Sequence, residues 1–296
     1  MTRASEHLNV AQTALGSQIR QLEEELGVVL LQRHSRGVSV TKAGQLLYRH
    51  IQIILANVDS CLREIAELRS EKTEALKFGA SGSVVQLAGA DLLARAHDAI
   101  PNVSITLVED TSRELFEALK RGEVDMILAH ELPEESGLSR TPWMKEELLF
   151  FTAGDGTARI GSASDISETI SFADALKNEL TLPARLDGIR KIIETAAGPA
   201  DLKCKVTFQV QSSLALKLLI ADTAVASVLP YGLAVNELRG GALRARRIVE
   251  PSLHRILYLV RSSRRLSTGS EAALDELLAS IRLRLAEQLG PLAEVL

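Results

Sequence analysis

A long stretch without proline, from Thr41 to Ser70, constrains the fold of this chain more than any other feature. Its apolar residues recur at alternating steps of four and three, which is the heptad spacing of a helix that packs along a partner helix. The residues of this seam are Leu47, Ile51, Ile54, Val58, Cys61, Ile65 and Leu68. A single helix would leave this stripe in water, so we interpret residues 42–72 as a linker helix that forms a dimer. Packing of the seam against other parts of the same chain is the alternative.

The residues ahead of this helix predict a small helical module followed by a β-ribbon. Residues 2–26 have the apolar spacing of two short helices, and Gly27 is a suitable C-cap for the second. Two short strands follow, with Arg36 and Gly37 at the turn between them, and Thr41 is a suitable N-cap for the long helix. Residues 1–49 carry six basic and four acidic residues, whereas the whole chain has a net charge of −4. This modest asymmetry permits one small basic module.

After residue 74 the pattern changes to alternating strands and helices. Such alternation predicts parallel sheets with crossover helices. We expect two similar α/β lobes with a ligand cleft between them, and a last strand and helix that return the chain to the first lobe. The predicted strands are 76–81, 103–109, 125–129, 148–153, 180–183, 205–211, 224–229 and 255–260, and the predicted helices are 83–98, 113–121, 172–177, 188–197, 213–221 and 270–287.

Composition and local motifs exclude several classes of protein. The two cysteines, Cys61 and Cys204, are too few and too far apart for a metal-ligand pattern or a disulfide framework, so we expect them to be reduced. The first residues lack the apolar core of a signal peptide, and no run of about 18 uncharged apolar residues occurs. We therefore expect a cytoplasmic protein that does not cross a membrane.

Catalysis finds no support in the sequence. The segment from Gly79 to Ser83 differs from the nucleophile elbow because Ser83 stands where that motif has its second glycine, and the segment lacks the dinucleotide-binding glycine spacing. The six histidines are scattered, and none pairs with a cysteine or acidic neighbour at metal-binding spacing. We expect no enzyme activity, no cofactor and no metal site.

The same segment is a candidate binding site for an anion. It leaves a strand and opens a helix, so its free backbone amides and the helix dipole face the predicted cleft. Ser81, Gly82 and Ser83 are the candidate residues, although either serine could instead be only an N-cap. Arg185 of the second lobe could clamp an anion from the opposite side, or could be surface charge. These features predict a small effector that is anionic.

Several segments resemble the LysR-type transcriptional regulator family over essentially the whole chain. Residues 4–27 are similar to the turn and recognition helix of the family, and Leu30 to Arg33 and Val40 to Gly44 are similar to its wing and exit. Further similar segments are 76–84, 122–128 and 248–255. The resemblance implies an N-terminal winged helix-turn-helix, a long dimerisation helix and a two-lobed α/β sensor domain like that of periplasmic binding proteins.

The resemblance also implies the roles of particular residues. Base and backbone contacts with DNA would come from the recognition helix and the wing. Gln211 and Ser212 would form the opposite wall of the effector cleft, and His130 is either an effector contact or a structural histidine. The candidate DNA-binding residues are Gln12, Thr13, Ser17, Arg20, Arg33 and Arg36.

The implied protein is a transcription factor that binds double-stranded DNA and responds to a small-molecule effector. It would form a homodimer or homotetramer, and RNA polymerase is a candidate partner. A solute-binding protein is the alternative from another class. We expect domains at 1–41 for DNA binding and 42–72 for the linker, with a first lobe at 74–146 and 263–296 and a second at 147–262.

The family usually has one more helix ahead of the position of Met1, so the winged domain is expected to be incomplete. Leu15, Ile19 and Leu22 would then keep apolar surface in water and the recognition helix would be loosely held. Weak DNA binding with strong salt dependence and poor sequence discrimination is the expectation. A sensor without specific DNA affinity is therefore a further alternative.

The linker seam can be tested by introducing a charge. Replacement of Ile54 with Asp would bury a carboxylate between two helices, so we expect association to weaken severely. Light scattering of the purified protein measures the oligomer mass. An unchanged mass would contradict the seam assignment.

Overall fold

The computed structural model describes residues 4–5, 10–34, 37–68, 74–157, 159–183, 188–200, 202, 204–262 and 268–296. The chain divides into two compact units, Met1–Ile65 and Ala66–Leu296. Each unit is described by itself below.

The first unit contains the predicted helix, ribbon and long helix. Helix α1 (Gln12–Leu26) ends at Gly27, whose φ of 66° is the left-handed conformation of a C-cap glycine. Strands β1 (Leu31–His34) and β2 (Gly37–Val40) pair antiparallel, and helix α2 (Lys42–Leu68) follows. The ribbon and the long helix are therefore confirmed.

Two side chains fix the ends of the ribbon. The Glu23 carboxylate accepts hydrogen bonds from the backbone N–H groups of Leu30 and Leu31, at 2.7 and 2.9 Å from Oε1. The Thr41 hydroxyl accepts the backbone N–H of Gly44 at 3.0 Å, as expected for an N-cap. Gly44 is needed there because a Cβ atom would collide with the backbone carbonyl oxygen of Leu30. The glycine that weakens the helix locally thus lets the helix lie close to the ribbon.

The second unit alternates strands and helices. Its strands are β3 (Glu74–Ala80), β4 (Val103–Glu109), β5 (Met126–His130), β6 (Ser139–Ala153), β7 (Thr169–Ser171), β8 (Leu180–Pro183), β9 (Val206–Val210), β10 (Ser227–Pro230), β11 (Leu243–Val249), β12 (His254–Arg261) and β13 (Ala293–Val295). Its α-helices are α3 (Gly82–Val84), α4 (Ala90–Ala99), α5 (Ser112–Lys120), α6 (Phe172–Leu176), α7 (Gly188–Ala197), α8 (Ser213–Asp222), α9 (Tyr231–Gly240) and α10 (Thr268–Leu289).

Strand β6 connects the two halves of this unit. On one side, β4, β3 and β5 are parallel, and β12 lies antiparallel between β5 and the first part of β6. On the other side, β10 and β11 pair antiparallel with the last part of β6, and β7 is parallel to β11. Strands β8 and β9 form a separate parallel pair. The two-lobed α/β architecture is confirmed. The strands of the second series form a mixed sheet, because β10 and β11 pair antiparallel with β6 while β7 is parallel to β11.

The pairing of β12 with the first part of β6 indicates where the boundary between the lobes lies. The expected second lobe, 147–262, includes β12, yet all eight residues of β12 pair with the Ser139–Glu147 part of β6. We propose that the first lobe comprises 74–146 and 254–296. The last strand and helix would then both belong to the first lobe.

Three apolar cores stabilise this unit. A large core joins β3, α4, α9 and α10, and includes Phe78, Leu92, Leu238 and Leu278. A second core, around Phe150 and Phe172, fills the space between β6, α6 and α7. A third core packs α5 against the other face of β5. The second core lies within the second lobe and the third within the first, whereas the large core includes residues of both lobes.

Four elements and the first half of another were absent from the sequence prediction. The first half of β6 is rich in charged and polar residues and contains Pro142, which is typical of a loop rather than a strand. Helix α9 and strands β7, β11 and β13 were also not assigned. The strands form because partner strands distant in sequence pair with them, whereas α9 satisfies its own backbone groups and is held by packing in the large core.

The helix after β3 contains one irregular segment. Helices α3 and α4 are joined without a break by a π-helical segment, Val85–Gly89. The whole segment of residues 82–99 matches the predicted helix at 83–98. None of the helices in the described part of the chain is long and apolar enough to span a membrane.

The close approach of α9 to the start of this helix gives a test of packing. A Cβ atom on Gly232 would lie 2.7 Å from the backbone carbonyl oxygen of Ser83 and 2.6 Å from Cδ1 of Leu87. Gly232→Ala should therefore lower the free energy of unfolding of the second unit by about 1–3 kcal/mol. Urea unfolding can be followed by the fluorescence of Trp143, the single tryptophan of the chain.

Gly240 provides a matched control on the same helix. A Cβ atom there would meet no atom within 4 Å. Gly240→Ala should leave stability unchanged or raise it by up to about 1 kcal/mol. Equal effects of the two substitutions would contradict the packing interpretation.

Candidate functional sites

A cavity of about 430 Å³ opens between elements of the two lobes. One wall comes from the start of α3 and from the loop between β4 and α5, and the other from the ends of β8, β9 and β10. This is the edge of an α/β sheet at which ligands commonly bind, because parallel strands bring their carboxyl ends together there. The lining residues are Ser81, Gly82, Ser83, Glu109, Asp110, Thr111, Ser112, Pro183, Ile189, Val210, Gln211, Ser213, Leu216, Pro230, Leu233 and Arg255.

Ser81 and Ser83 connect the cavity to a buried polar network. Ser81 Oγ lies 3.3 Å from Nδ1 of His130, and His130 Nε2 lies 3.3 Å from Oε2 of Glu146. The Arg255 guanidinium donates from Nε to Glu146 Oε2 and from Nη2 to Ser83 Oγ, both at 2.7 Å. All five side chains are buried. The network therefore holds the two serines that face the cavity in fixed positions.

The charge of Glu146 is set by this network. Burial by itself raises the pKa of the carboxyl, but the positive charge of Arg255 and the hydrogen bond with His130 lower the pKa to about 2. Glu146 is therefore ionised at neutral pH and balances the charge of Arg255. Removal of either partner would leave a buried charge without its counter-ion.

The opposite corner of the first-lobe wall is acidic. Glu109 Oε1 lies 2.9 Å from the point that a Cβ atom on Gly82 would occupy, so this carboxylate stands directly beside the helix start. Asp110 follows it, and both side chains are exposed. The Thr111 hydroxyl accepts the backbone N–H of Glu114 and caps α5.

The structure brings together some of the predicted effector residues. Ser81, Gly82, Ser83 and Gln211 all line the cavity. Ser212 does not line it; its hydroxyl accepts the backbone N–H of Ala215 and caps α8.

Two other predicted effector residues are placed differently. His130 lies beneath the cavity in the buried network, and its backbone N–H donates to Ser112 Oγ at 3.0 Å. Arg185 lies outside the described residues. The effector roles of these residues stay predictions.

The predicted DNA-reading residues lie on α1. Successive residues of a helix are 100° apart, so Gln12, Thr13, Ser17 and Arg20 fall within an arc of about 140°. All four are exposed. The N-cap position belongs to Ala11, so neither Gln12 nor Thr13 occupies it. The four side chains can thus face one surface of a partner molecule.

The wing and the linker seam are described in part. Arg33 lies on β1, and its side chain is outside the described part of the structure, as is the whole of Arg36. On α2, Ile54 and Val58 of the seam are 57% and 48% exposed. Within the described chain, this stretch of the seam is therefore not covered.

Models of two protein families match the chain. Residues 1–45 match the bacterial regulatory helix-turn-helix protein, lysR family, and residues 69–282 match the LysR substrate binding domain. The chain belongs to the LysR family. It is a DNA-binding transcriptional regulator that is controlled by a small-molecule effector and forms oligomers. Members of the family are transcriptional regulators rather than enzymes.

Relatives and solved structures agree with this assignment. The nitrogen assimilation regulatory protein nac of Klebsiella aerogenes is 28% identical over 286 residues, which cover 95% of this chain and 90% of the relative. The regulator BenM of Acinetobacter baylyi is 34% identical over 149 residues, about half of each chain. A full-length OxyR variant from Pseudomonas aeruginosa has a TM-score of 0.57 at 22% identity, covering 95% of this chain and 89% of that one. Full-length CbnR in complex with its target DNA has a TM-score of 0.56 at 21% identity, covering 95% and 93%. At these identities, the two structures show a shared fold.

Sequence reasoning missed Glu109, Asp110 and Arg255. Glu109 is the last residue of a correctly predicted strand and Asp110 follows it, so their position at the cleft edge was available as a signal. Arg255 lies in a predicted strand, but its partner Glu146 lies in the part of β6 that reads as a loop. No local pattern therefore indicated that Arg255 faces the cleft.

The pKa of Glu146 predicts a pH-dependent stability. The folded-state pKa of about 2 lies below the ordinary value of 4.5. The ionised carboxylate therefore stabilises the fold fully above about pH 5, and this contribution is lost as the pH falls toward about 2. The free energy of unfolding of the unmodified protein should fall by about 3 kcal/mol more than that of Glu146→Gln over this range.

Urea unfolding followed by Trp143 fluorescence measures this difference at several pH values. At neutral pH, Glu146→Gln should be the less stable protein because Arg255 loses its counter-ion. The double variant Glu146→Gln, Arg255→Met removes both charges and should recover part of the loss. Parallel stability curves for the unmodified protein and Glu146→Gln would contradict the assigned ion pair.

Proposed function

We propose that this LysR regulator reads DNA bases with the exposed face of α1 and that its response is set by an effector bound in the cavity between the lobes. The exposure of Gln12, Thr13, Ser17 and Arg20 on one arc of α1 carries the first part. A helix that enters the major groove needs such a face of hydrogen-bonding side chains. Arg33 and Arg36 of the wing would contact phosphates or the minor groove.

The cavity supports the second part. Its volume of about 430 Å³ is ordinary for a small-molecule site, and its walls come from both lobes. A ligand that touches both walls stabilises the closed arrangement over the open one, which is how binding shifts a conformational equilibrium. Ser81, Gly82 and Ser83 would hold an anionic or other accepting group of the effector, since their amides and hydroxyls supply donors.

Association through α2 completes the proposal. The exposed seam residues Ile54 and Val58 favour pairing of two α2 helices in a homodimer. Two recognition helices would then meet two half-sites on DNA. A homotetramer through the sensor units, contact with RNA polymerase and a cytoplasmic location, where the DNA is, belong to the same proposal.

Replacement of a single base-reading residue tests the DNA-binding face. The operator is first selected from a random-sequence DNA library with the full chain. Gln12→Ala should then weaken binding to that operator by about tenfold or more, because a good contact with a base edge is worth about 1–3 kcal/mol. Binding to random DNA should change little, since phosphate attraction supplies it.

Gln18 offers a matched control. It is exposed on α1 but lies outside the proposed arc, about 120° from Gln12. Gln18→Ala should leave both affinities within about twofold. Equal losses for the two variants, or no loss for Gln12→Ala, would contradict the assigned face.

A further inference from the structure

The charges around the cavity are unsuited to a purely anionic effector. Among the described lining residues, Arg255 is the basic one, and Glu109 and Asp110 are acidic. The charge of Arg255 is already balanced by Glu146 at 2.7 Å. The unbalanced charge at the cleft is therefore negative. Arg185 and Asp187, in the adjoining segment 184–187, lie outside the described residues.

The negative charge lies next to the group that would bind an anion. Glu109 Oε1 is 2.9 Å from the Cβ position of Gly82, at the helix start where Ser81 and Ser83 present donors. A lone carboxylate bound at the serines would face the Glu109 carboxylate at close range and would be repelled by it. A ligand that also carries a positive group converts this repulsion into attraction.

We propose that the effector is an amino acid or a similar amino-carboxylate, whose cationic amine lies against Glu109 and Asp110 while its carboxylate meets Ser81, Ser83 and Arg255. This inference rests on the proposed function of the cavity and adds the chemical class of its ligand. Both poles of the ligand are held by the wall of the first lobe.

The other wall indicates the character of the rest of the ligand. Among the described residues of this wall, most are apolar, and the polar ones are Gln211 and Ser213. An aliphatic or aromatic side chain would bury its surface there as the lobes close. The apolar lining residues are Pro183, Ile189, Val210, Leu216, Pro230 and Leu233.

Calorimetric titration of the full-length protein with matched sets of three compounds tests this inference. Each set holds an amino acid, the acid without the amine, and the amine without the carboxylate. The probes are L-leucine, isocaproate and isoamylamine; L-norleucine, hexanoate and pentylamine; and L-phenylalanine, hydrocinnamate and phenethylamine. In at least one set the amino acid should bind about tenfold or more tightly than either partner compound, because it alone satisfies both poles.

Variants test whether the carboxylates of Glu109 and Asp110 cause this preference. The double variant Glu109→Gln, Asp110→Asn should reduce the preference for the amino acid over its des-amino acid to about twofold or less. Glu287→Gln changes an exposed glutamate of α10 outside the cavity lining and should preserve the preference. Ser213→Tyr and Leu233→Phe fill the cavity, and each should abolish binding while circular dichroism shows a folded protein.

The outcomes separate this inference from the proposed function. Equal or tighter binding of the des-amino acids, lost in Ser213→Tyr, would overturn the amino-carboxylate assignment and leave the cavity as the effector site. A preference for the amino acid that survives the double variant would also overturn the assignment. Binding of none of the compounds, or binding that both cavity-filling variants retain, would overturn the proposed function of the cavity itself.

Discussion

Two consecutive buried carboxylates on β6 create the constraint on which the sensor unit depends. Glu146 and Glu147 lie where β6 passes from one lobe to the other, and the alternation of a strand directs them to opposite faces. Each must find a cation, because an unpaired buried charge would cost several kcal/mol. Glu146 pairs with Arg255 of β12, and Glu147 binds Arg247 of β11 through contacts of 2.6–3.2 Å. The same ion pairs that stabilise the strand therefore fix the neighbours on both sides of it.

This pairing fixes the positions of the residues in the first-lobe wall of the cavity. Arg255 reaches past Glu146 to the Ser83 hydroxyl, so the start of α3 is tied to β6 and β12. The apolar cores of the lobes give cohesion but do not specify position to a fraction of an ångström, whereas directional hydrogen bonds to charged groups do. The serines at the cleft are thus placed by Arg255, His130 and Glu146, of which His130 and Glu146 do not line the cavity.

The sequence predicted the elements whose periodicity is strong. The long helix with its seam, the β-ribbon and the strand–helix alternation from β3 to β5 all follow from local patterns and lie where they were expected. The first half of β6 could not be predicted, because its charged residues are tolerated in a strand only when Arg255 and Arg247, about 100 residues later, supply counter-ions. The candidate site could likewise be predicted only where a local pattern indicated it. Helix-terminus physics identified Ser81 and Ser83, while the distinction between a lining residue and a cap, as for Gln211 and Ser212, depends on the packing of α8.

The π-helical segment Val85–Gly89 lies between the start of its helix, which lines the cavity, and the later part of the helix, which packs in the core. A π turn accommodates one more residue than an α-helical turn, and it usually arises when a single residue is inserted into a helix. Because the π turn absorbs its extra residue, Ser81–Ser83 keep about the rotation relative to Leu92 and Ala96 in the core that a regular α-helix with one residue fewer would give them. The helix start and the packed face are therefore held in register by the π winding of this short segment. If the same residues were wound as regular α-helix, the donors would turn by about 100° relative to the core and away from the ligand, without any change of side-chain chemistry.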